Sequence, residues 1–142
     1  MTHKINTDKP TTIIIDGCYL LHSAKVVLKG EIDYLKLHKE LTTRFPHAIL
    51  HIALRHAPDT LVTWLNNNGY NTNEPNLDLI PIDSNILFIT GQGKIYSFLC
   101  QLSQVNDVMV VSLPSNTANR IKESNDIKFI DGTNLFTACL KE

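Results

Sequence analysis

The sequence of 142 residues has few of the features that mark membrane or secreted proteins. No apolar run approaches the ~20 residues of a membrane-spanning helix, and the polar start from Met1 to Pro10 does not contain the apolar stretch of a signal peptide. The three cysteines, Cys18, Cys100 and Cys139, lie far apart, and no two of them form a C-x-x-C pair. We therefore expect no disulfide framework, no zinc site and no membrane association, and we predict a cytoplasmic protein.

An excess of charge of either sign is also absent. The chain has 13 Lys and Arg residues against 14 Asp and Glu residues, which gives a formal net charge of −1. This balance disfavours a strongly basic nucleic-acid-binding protein but leaves room for a local basic patch. Residues 1–56 carry eight basic side chains, five acidic ones and all six histidines, so the first part of the chain is mildly basic.

The sequence is instead rich in short apolar segments. Hydrophobic residues make up 43% of the chain and its length is typical of one domain, so we predict a single domain over residues 1–142 with a polar N-terminal extension at 1–10. β-Branched apolar runs predict strands at 11–16, 48–54, 85–90, 108–113 and 127–130, with a short strand at 70–72 and a loop over 73–83. Apolar residues at helical spacing predict a helix that follows Gly17 and ends near Gly30, and further helices over 33–45, 58–68, 95–102, 114–123 and 134–140.

Apolar strands that alternate with amphipathic helices predict an α/β, Rossmann-like fold, a three-layer α/β/α sandwich with a mainly parallel central sheet. In such sheets ligands bind beyond the carboxyl ends of the strands. The residues that follow the predicted strands are therefore candidate site residues. They are Asp16, Gly17, Thr90, Gly91, Gln92, Gly93, Lys94, Ser112, Ser115 and Asp131, with Asp126 at the entry to the last strand.

Several of these segments resemble the motifs of one family. Residues 13–20, IIIDGCYL, resemble the opening of NYN domains, which belong to the PIN-like metal-dependent ribonucleases. Residues 90–95, TGQGKI, resemble that family's S/T-G-D-G-D-F turn, and residues 125–130, NDIKFI, resemble its late A-D-x-F-I segment. Order and spacing agree from about Thr11 to Asp131, and the resemblance implies a PIN-like version of the predicted sandwich.

The resemblance also implies a metal centre. In this family, acidic side chains at the strand ends hold Mg²⁺ or Mn²⁺, hard ions that prefer oxygen ligands. The ions activate water and stabilise the charge that develops on the phosphate. Carried over to this sequence, the resemblance assigns metal-binding and catalytic roles to Asp16 and Asp126.

The sequence departs from the family pattern at the glycine turn, where Gln92 and Lys94 stand in place of two acids. Tyr19 replaces an Asn, and residues 71–85 leave little room for the acidic helix that the family inserts there. Asp78 and Asp83 lie in this shortened segment and are possible replacement ligands. Lys94 is a candidate for a salt bridge with Asp16 that dispenses with the metal, and Asp16 itself is a candidate helix cap.

Three hypotheses follow. The first is a catalytically degenerate NYN/PIN-like domain, not an enzyme, that needs no cofactor and binds RNA or a protein partner, including a second copy of itself. The alternative is an active Mg²⁺- or Mn²⁺-dependent ribonuclease with a rearranged cluster of Asp16, Asp126 and Asp83. The third is a small-molecule or nucleotide binder that uses the glycine turn. Binding in the first hypothesis is assigned to Gly91, Gln92, Gly93, Lys94 and Ser112.

Cys18, at the start of a predicted helix, is interpreted as a structural cysteine.

Overall fold

The structure, a computed structural model, describes residues 8–142. These residues form one sheet of five parallel strands with helices on both faces, which confirms the three-layer α/β/α, Rossmann-like architecture. The strands are short, apolar runs that are mostly buried on both faces, as expected of a parallel sheet. They are Thr11–Asp16 (β1), Ile49–Ala53 (β2), Asn85–Ile89 (β3), Asp107–Ser112 (β4) and Lys128–Asp131 (β5).

Six α-helices connect or follow the strands in the described part of the chain. They are Gly17–Val26 (α1), Tyr34–Arg44 (α2), Asp59–Asn67 (α3), Tyr96–Ser103 (α4), Asn119–Lys122 (α5) and Thr133–Ala138 (α6). Single 3₁₀ turns occupy Leu77–Leu79, Gly93–Ile95 and Pro114–Asn116. Within residues 8–142 no helix has the length and hydrophobicity that a membrane span requires.

The strand order is β2-β1-β3-β4-β5. β2 therefore pairs with one edge of β1, and the chain then crosses back so that β3 pairs with the other edge of β1. The gap between the ends of β1 and β3 is the topological switch point, where open α/β sheets bind ligands. The strand expected at 70–72 is reduced to one parallel bridge between Asn71 and His51 at the β2 edge.

The first face of the sheet carries most of the helices. Leu20 of α1, Leu37 of α2, Leu65 of α3 and Phe136 of α6 all belong to one buried cluster on this face. Ile13 and Ile15 reach the same cluster from the sheet because alternate residues of a strand share a face. Four helices thus pack on this face.

The second face is covered only in part. Leu99 of α4 and Ile121 of α5 pack over β3, β4 and β5, but no helix in the described chain covers β1 and β2 here. The segment 73–84 runs along this side instead, with the Asn73 carbonyl oxygen 3.0 Å from His51 Nδ1. As a result Ile49 of β2 remains 58% exposed. The expected loop over 73–83 is confirmed apart from the turn at Leu77–Leu79, and the missing helix leaves an opening over β1 and β2.

Two predicted helix boundaries are wrong. The helix expected over 114–123 is split into the 3₁₀ turn and α5, because Thr117 is extended (φ −135°, ψ 134°). That extended residue lets the Ala118 amide donate to the Gly91 carbonyl at 2.9 Å, which ties the β4 loop to the β3 loop. α1 ends at Val26 rather than near Gly30, since the chain turns through Lys29 at a φ of 57°.

Gly69→Ala tests how α3 leads into the β2 edge. Gly69 has a φ of +92°, and a Cβ there would lie 2.2 Å from His38 Nε2. We expect a loss of about 1–2 kcal/mol in the free energy of unfolding, because an L side chain is strained at positive φ and His38 must also move. Urea denaturation measures this loss. Gly30→Ala is the matched control, since its nearest neighbours are flexible Leu140 side-chain atoms at 3.2 Å and its φ lies outside the left-handed region. Equal losses in the two variants would contradict the interpretation.

Candidate functional site

A cleft of about 680 Å³ opens at the switch point, over the uncovered part of the second face. Its floor is apolar and includes Ile14, Phe88 and Ile95. The carboxyl ends of β1, β2 and β3 supply one wall, and the turn after β3 and the segment after the Asn71 bridge supply the others. Its polar and charged lining includes Asp16, Arg55, Glu74, Thr90, Gln92 and Lys94.

Asp16 is the central polar residue of the cleft, and its carboxylate accepts three hydrogen bonds. Oδ1 accepts from the backbone N–H of Tyr19 at 3.1 Å, which makes Asp16 the N-cap of α1. Oδ2 accepts from Thr90 Oγ1 at 3.1 Å and from Gln92 Nε2 at 3.0 Å. One side chain therefore joins the end of β1, the start of α1 and the turn after β3, as expected for a helix-capping acid.

Lys94 does not pair with Asp16, so the expected salt bridge is wrong. Gln92 reaches the carboxylate because the turn directs its side chain toward β1. Lys94 comes two residues later, in the 3₁₀ turn Gly93–Ile95, where its side chain is exposed and lines the cleft. It forms no ion pair with any residue of the described part of the chain.

The two glycines of the turn serve packing and do not line the cleft. A Cβ on Gly91 would lie 2.2 Å from the carbonyl oxygen of Asn116, and a Cβ on Gly93 would lie 2.9 Å from Ala118 Cβ. The glycines therefore let the β3 turn lie directly against the loop after β4. Their assignment as binding residues is not supported by this arrangement.

Ser112 is also placed away from the cleft. It is fully buried, and its Oγ lies 2.6 Å from Thr117 Oγ1. The structure therefore places this hydroxyl against Thr117 and outside the cleft lining. At the end of the neighbouring strand, the Asp131 carboxylate accepts hydrogen bonds from the hydroxyl and the backbone N–H of Thr133. Both bonds lower the pKa of the Asp131 carboxyl, and the hydroxyl contributes most. Asp131 is thereby bonded to Thr133, the first residue of α6.

The sheet keeps Asp16 and Asp126 apart. Asp16 ends β1, whereas Asp126 lies before β5, exposed at the amino edge of the sheet. The register places Asp131 at the level of Asp16, and Asp126 is five residues earlier, so about 16 Å of strand length separates the two levels. The expected shared site of these two carboxylates is therefore not assembled.

The replacement acids do not reach Asp16 either. Asp83 lies at the amino edge, 2.8 Å from Lys9 Nζ, and the same ammonium donates to Asp107. Both bonds raise the pKa of the Lys9 ammonium, and the bond to Asp107 contributes most. Asp78 is exposed in the turn Leu77–Leu79 and does not line the cleft. Across residues 8–142, no three His, Cys, Asp or Glu side chains are arranged to hold a metal ion, so the residues do not fit the Mg²⁺ or Mn²⁺ centre that the resemblance implies.

The charged and nucleophilic residues of the cleft that the sequence-based site lacks are Arg55, Glu74 and Cys18. Arg55 follows β2 at the same sheet edge as Asp16, so the rule that ligands bind beyond strand ends would have found it. Glu74 lies three residues after the Asn71 bridge, in a segment read only as loop. Cys18 is exposed and lines the cleft, so its interpretation as a structural cysteine is wrong.

Comparison with known proteins shows the fold. No family model matches the sequence, and no curated protein matches it. The chain is similar to the crystal structure of a protein of unknown function from Vibrio parahaemolyticus, with a TM-score of 0.63 at 12% sequence identity. The match covers 91% of this chain and 97% of that one, so the whole α/β fold is shared.

Gln92→Glu tests the interaction at Asp16. The substitution replaces an N–H donor 3.0 Å from Asp16 Oδ2 by a second carboxylate, so repulsion replaces a charge-assisted hydrogen bond. We expect the free energy of unfolding to fall by about 1–3 kcal/mol at neutral pH. Gln92→Ala is the control, because it removes the bond without adding charge and should cost less. Urea denaturation at pH 7 and below pH ~4, where carboxyl groups are protonated, should show the difference shrinking in acid. A glutamate variant as stable as the parent protein at neutral pH would contradict the contact.

Proposed function

We propose that this chain is a degenerate NYN/PIN-like domain that binds single-stranded RNA in the cleft and does not cleave it. The observation that carries the proposal is the exchange at the glycine turn. Gln92 hydrogen-bonds Asp16 where the family has an acid, and Lys94 lines the same cleft as an exposed cation. The acidic turn of the family suits a cation, whereas the turn of this chain suits an anion.

The charges of the cleft favour a phosphate ligand. Arg55 and Lys94 line it from two sides of Asp16, and neither forms an ion pair within residues 8–142. A guanidinium binds phosphate through two parallel N–H donors, and an ammonium binds it as a point charge. Because the carboxylate of Asp16 already accepts three hydrogen bonds, its repulsion of a nearby phosphate is reduced.

The shape of the cleft favours a single strand. Its volume of about 680 Å³ is in the range of sites for small ligands, so it fits a short stretch of unpaired nucleotides rather than a duplex. Ile14, Phe88 and Ile95 give it an apolar floor on which a base can pack. The net charge of −1 is compatible with this proposal, because the positive charge needed is local.

The separation of the acids disfavours the active ribonuclease. That alternative needs Asp16 and Asp126 around one ion, and the sheet places them at opposite edges. Asp83 is at the amino edge with Lys9. Binding without catalysis therefore agrees better with the positions of these side chains.

Removing the two cations should weaken RNA binding in a salt-dependent way. Lys94→Ala and Arg55→Ala should each lower affinity for a fluorescent uridine heptamer several-fold. Each should also reduce the slope of log K against log salt by about 0.7, because each phosphate contact releases counterions. Fluorescence anisotropy between about 50 and 200 mM salt measures both quantities.

Lys39→Ala is the matched control, since Lys39 is an exposed lysine of α2, on the covered face of the sheet. It should change neither the affinity nor the slope. If the parent protein does not bind the heptamer even at the lowest salt, the RNA proposal is wrong, and a protein partner or a second copy becomes the expected occupant of the cleft.

Cleavage assays separate binding from catalysis. With Mg²⁺ or Mn²⁺ in excess, we expect the heptamer to remain intact after incubation with the parent protein, as judged on a denaturing gel. Asp16→Asn keeps a side chain that caps a helix well, so it should fold and serve as the comparison. Metal-dependent cleavage that disappears in this variant would establish the ribonuclease instead.

A further inference from the structure

We infer that the cleft also selects the base of its RNA, and that Glu74 favours guanine. This inference rests on the proposed function, because it concerns the same site. Its starting point is that Glu74 is an exposed carboxylate that lines a cleft otherwise suited to phosphate. It forms no ion pair with the described residues.

Glu74 is held in place by the backbone before it. The amide of Asn71 donates to the Leu50 carbonyl at 2.8 Å, and the Asn71 carbonyl accepts from the amide of Ile52 at 3.0 Å. The Asn73 carbonyl oxygen lies 3.0 Å from His51 Nδ1. These contacts anchor Asn71 and Asn73 to β2, so the carboxylate that follows them starts from a fixed position.

The separation of Glu74 from Lys94 suits one nucleotide. Glu74 follows the bridge outside β2, and Lys94 follows β3 on the other side of β1. The Asn71 bridge and β3 lie three strand spacings of ~4.8 Å apart, about 14 Å in all. That span is on the order of the length of a nucleotide from its base edge to its phosphate. A phosphate at Lys94 thus places a base edge toward Glu74.

A free carboxylate in this position penalises ligands that offer it no donor. It repels the phosphate backbone, and it has acceptors only, so it gains a bond only from N–H or O–H donors. Guanine presents two adjacent donors, N1–H and the N2 amino group, which one carboxylate accepts together. Uracil presents a single N–H between two carbonyl oxygens, which repel a carboxylate. Bases of single-stranded RNA expose these edges.

The test compares heptamers bound to the full chain in the anisotropy assay. A uridine heptamer with one central guanosine should bind at least about tenfold more tightly than the all-uridine heptamer, in line with a good two-bond base contact. A central inosine, which keeps N1–H and lacks the amino group, should give an intermediate affinity.

Glu74→Gln should abolish this preference, because the amide no longer accepts both guanine donors and no longer repels the uridine heptamer. Glu123→Gln, an exposed acid after α5 and outside the cleft, should keep the preference of the parent protein. If both heptamers bind equally well and Glu74→Gln changes nothing, the base selection is wrong while the proposed function stands. If neither heptamer binds, the proposed function itself is contradicted, and the inference falls with it.

Discussion

The hydrogen bonds of the Asp16 carboxylate are the interaction on which the site depends. A parallel sheet brings the ends of β1 and β3 together, and the turn after β3 must be fixed for any ligand to be bound there. Asp16 fixes it through Thr90 and Gln92 while it caps α1 through the amide of Tyr19. One carboxylate therefore accepts hydrogen bonds from the start of α1, the end of β3 and the turn that follows, so the role of Asp16 is structural.

This structural role of Asp16 explains why the turn carries Gln92 and Lys94. A carboxylate beside Asp16 is tolerated when a cation lies between the two. Asp83 and Asp126, the acids expected to share such a cation, lie at the amino edge of the sheet. An amide at position 92 removes the repulsion and adds a donor. The positive charge at position 94 then faces the cleft on the β3 side of Asp16.

The incomplete helical layer decides where a ligand can enter. Residues 73–84 are too few, and too interrupted by Pro75 and Pro81, to cover β1 and β2 with a helix. The second face consequently stays open above Ile14, next to the switch point. The opening coincides with the carboxyl ends of three strands, so side chains from distant parts of the sequence line one cleft.

The sequence by itself determined the layered fold and its strands, because buried β-branched runs and helical periodicity are local patterns. It also located Asp16 and the turn at Gln92, since strand ends are readable from the same patterns. Only the tertiary structure decided which of the candidates meet. Register sets Asp126 at the far edge, packing buries Ser112, and the uncovered face brings Arg55 and Glu74 into the cleft. These outcomes depend on strand pairing and on the path of one loop, which are contacts between segments far apart in the chain and leave no local periodic signal.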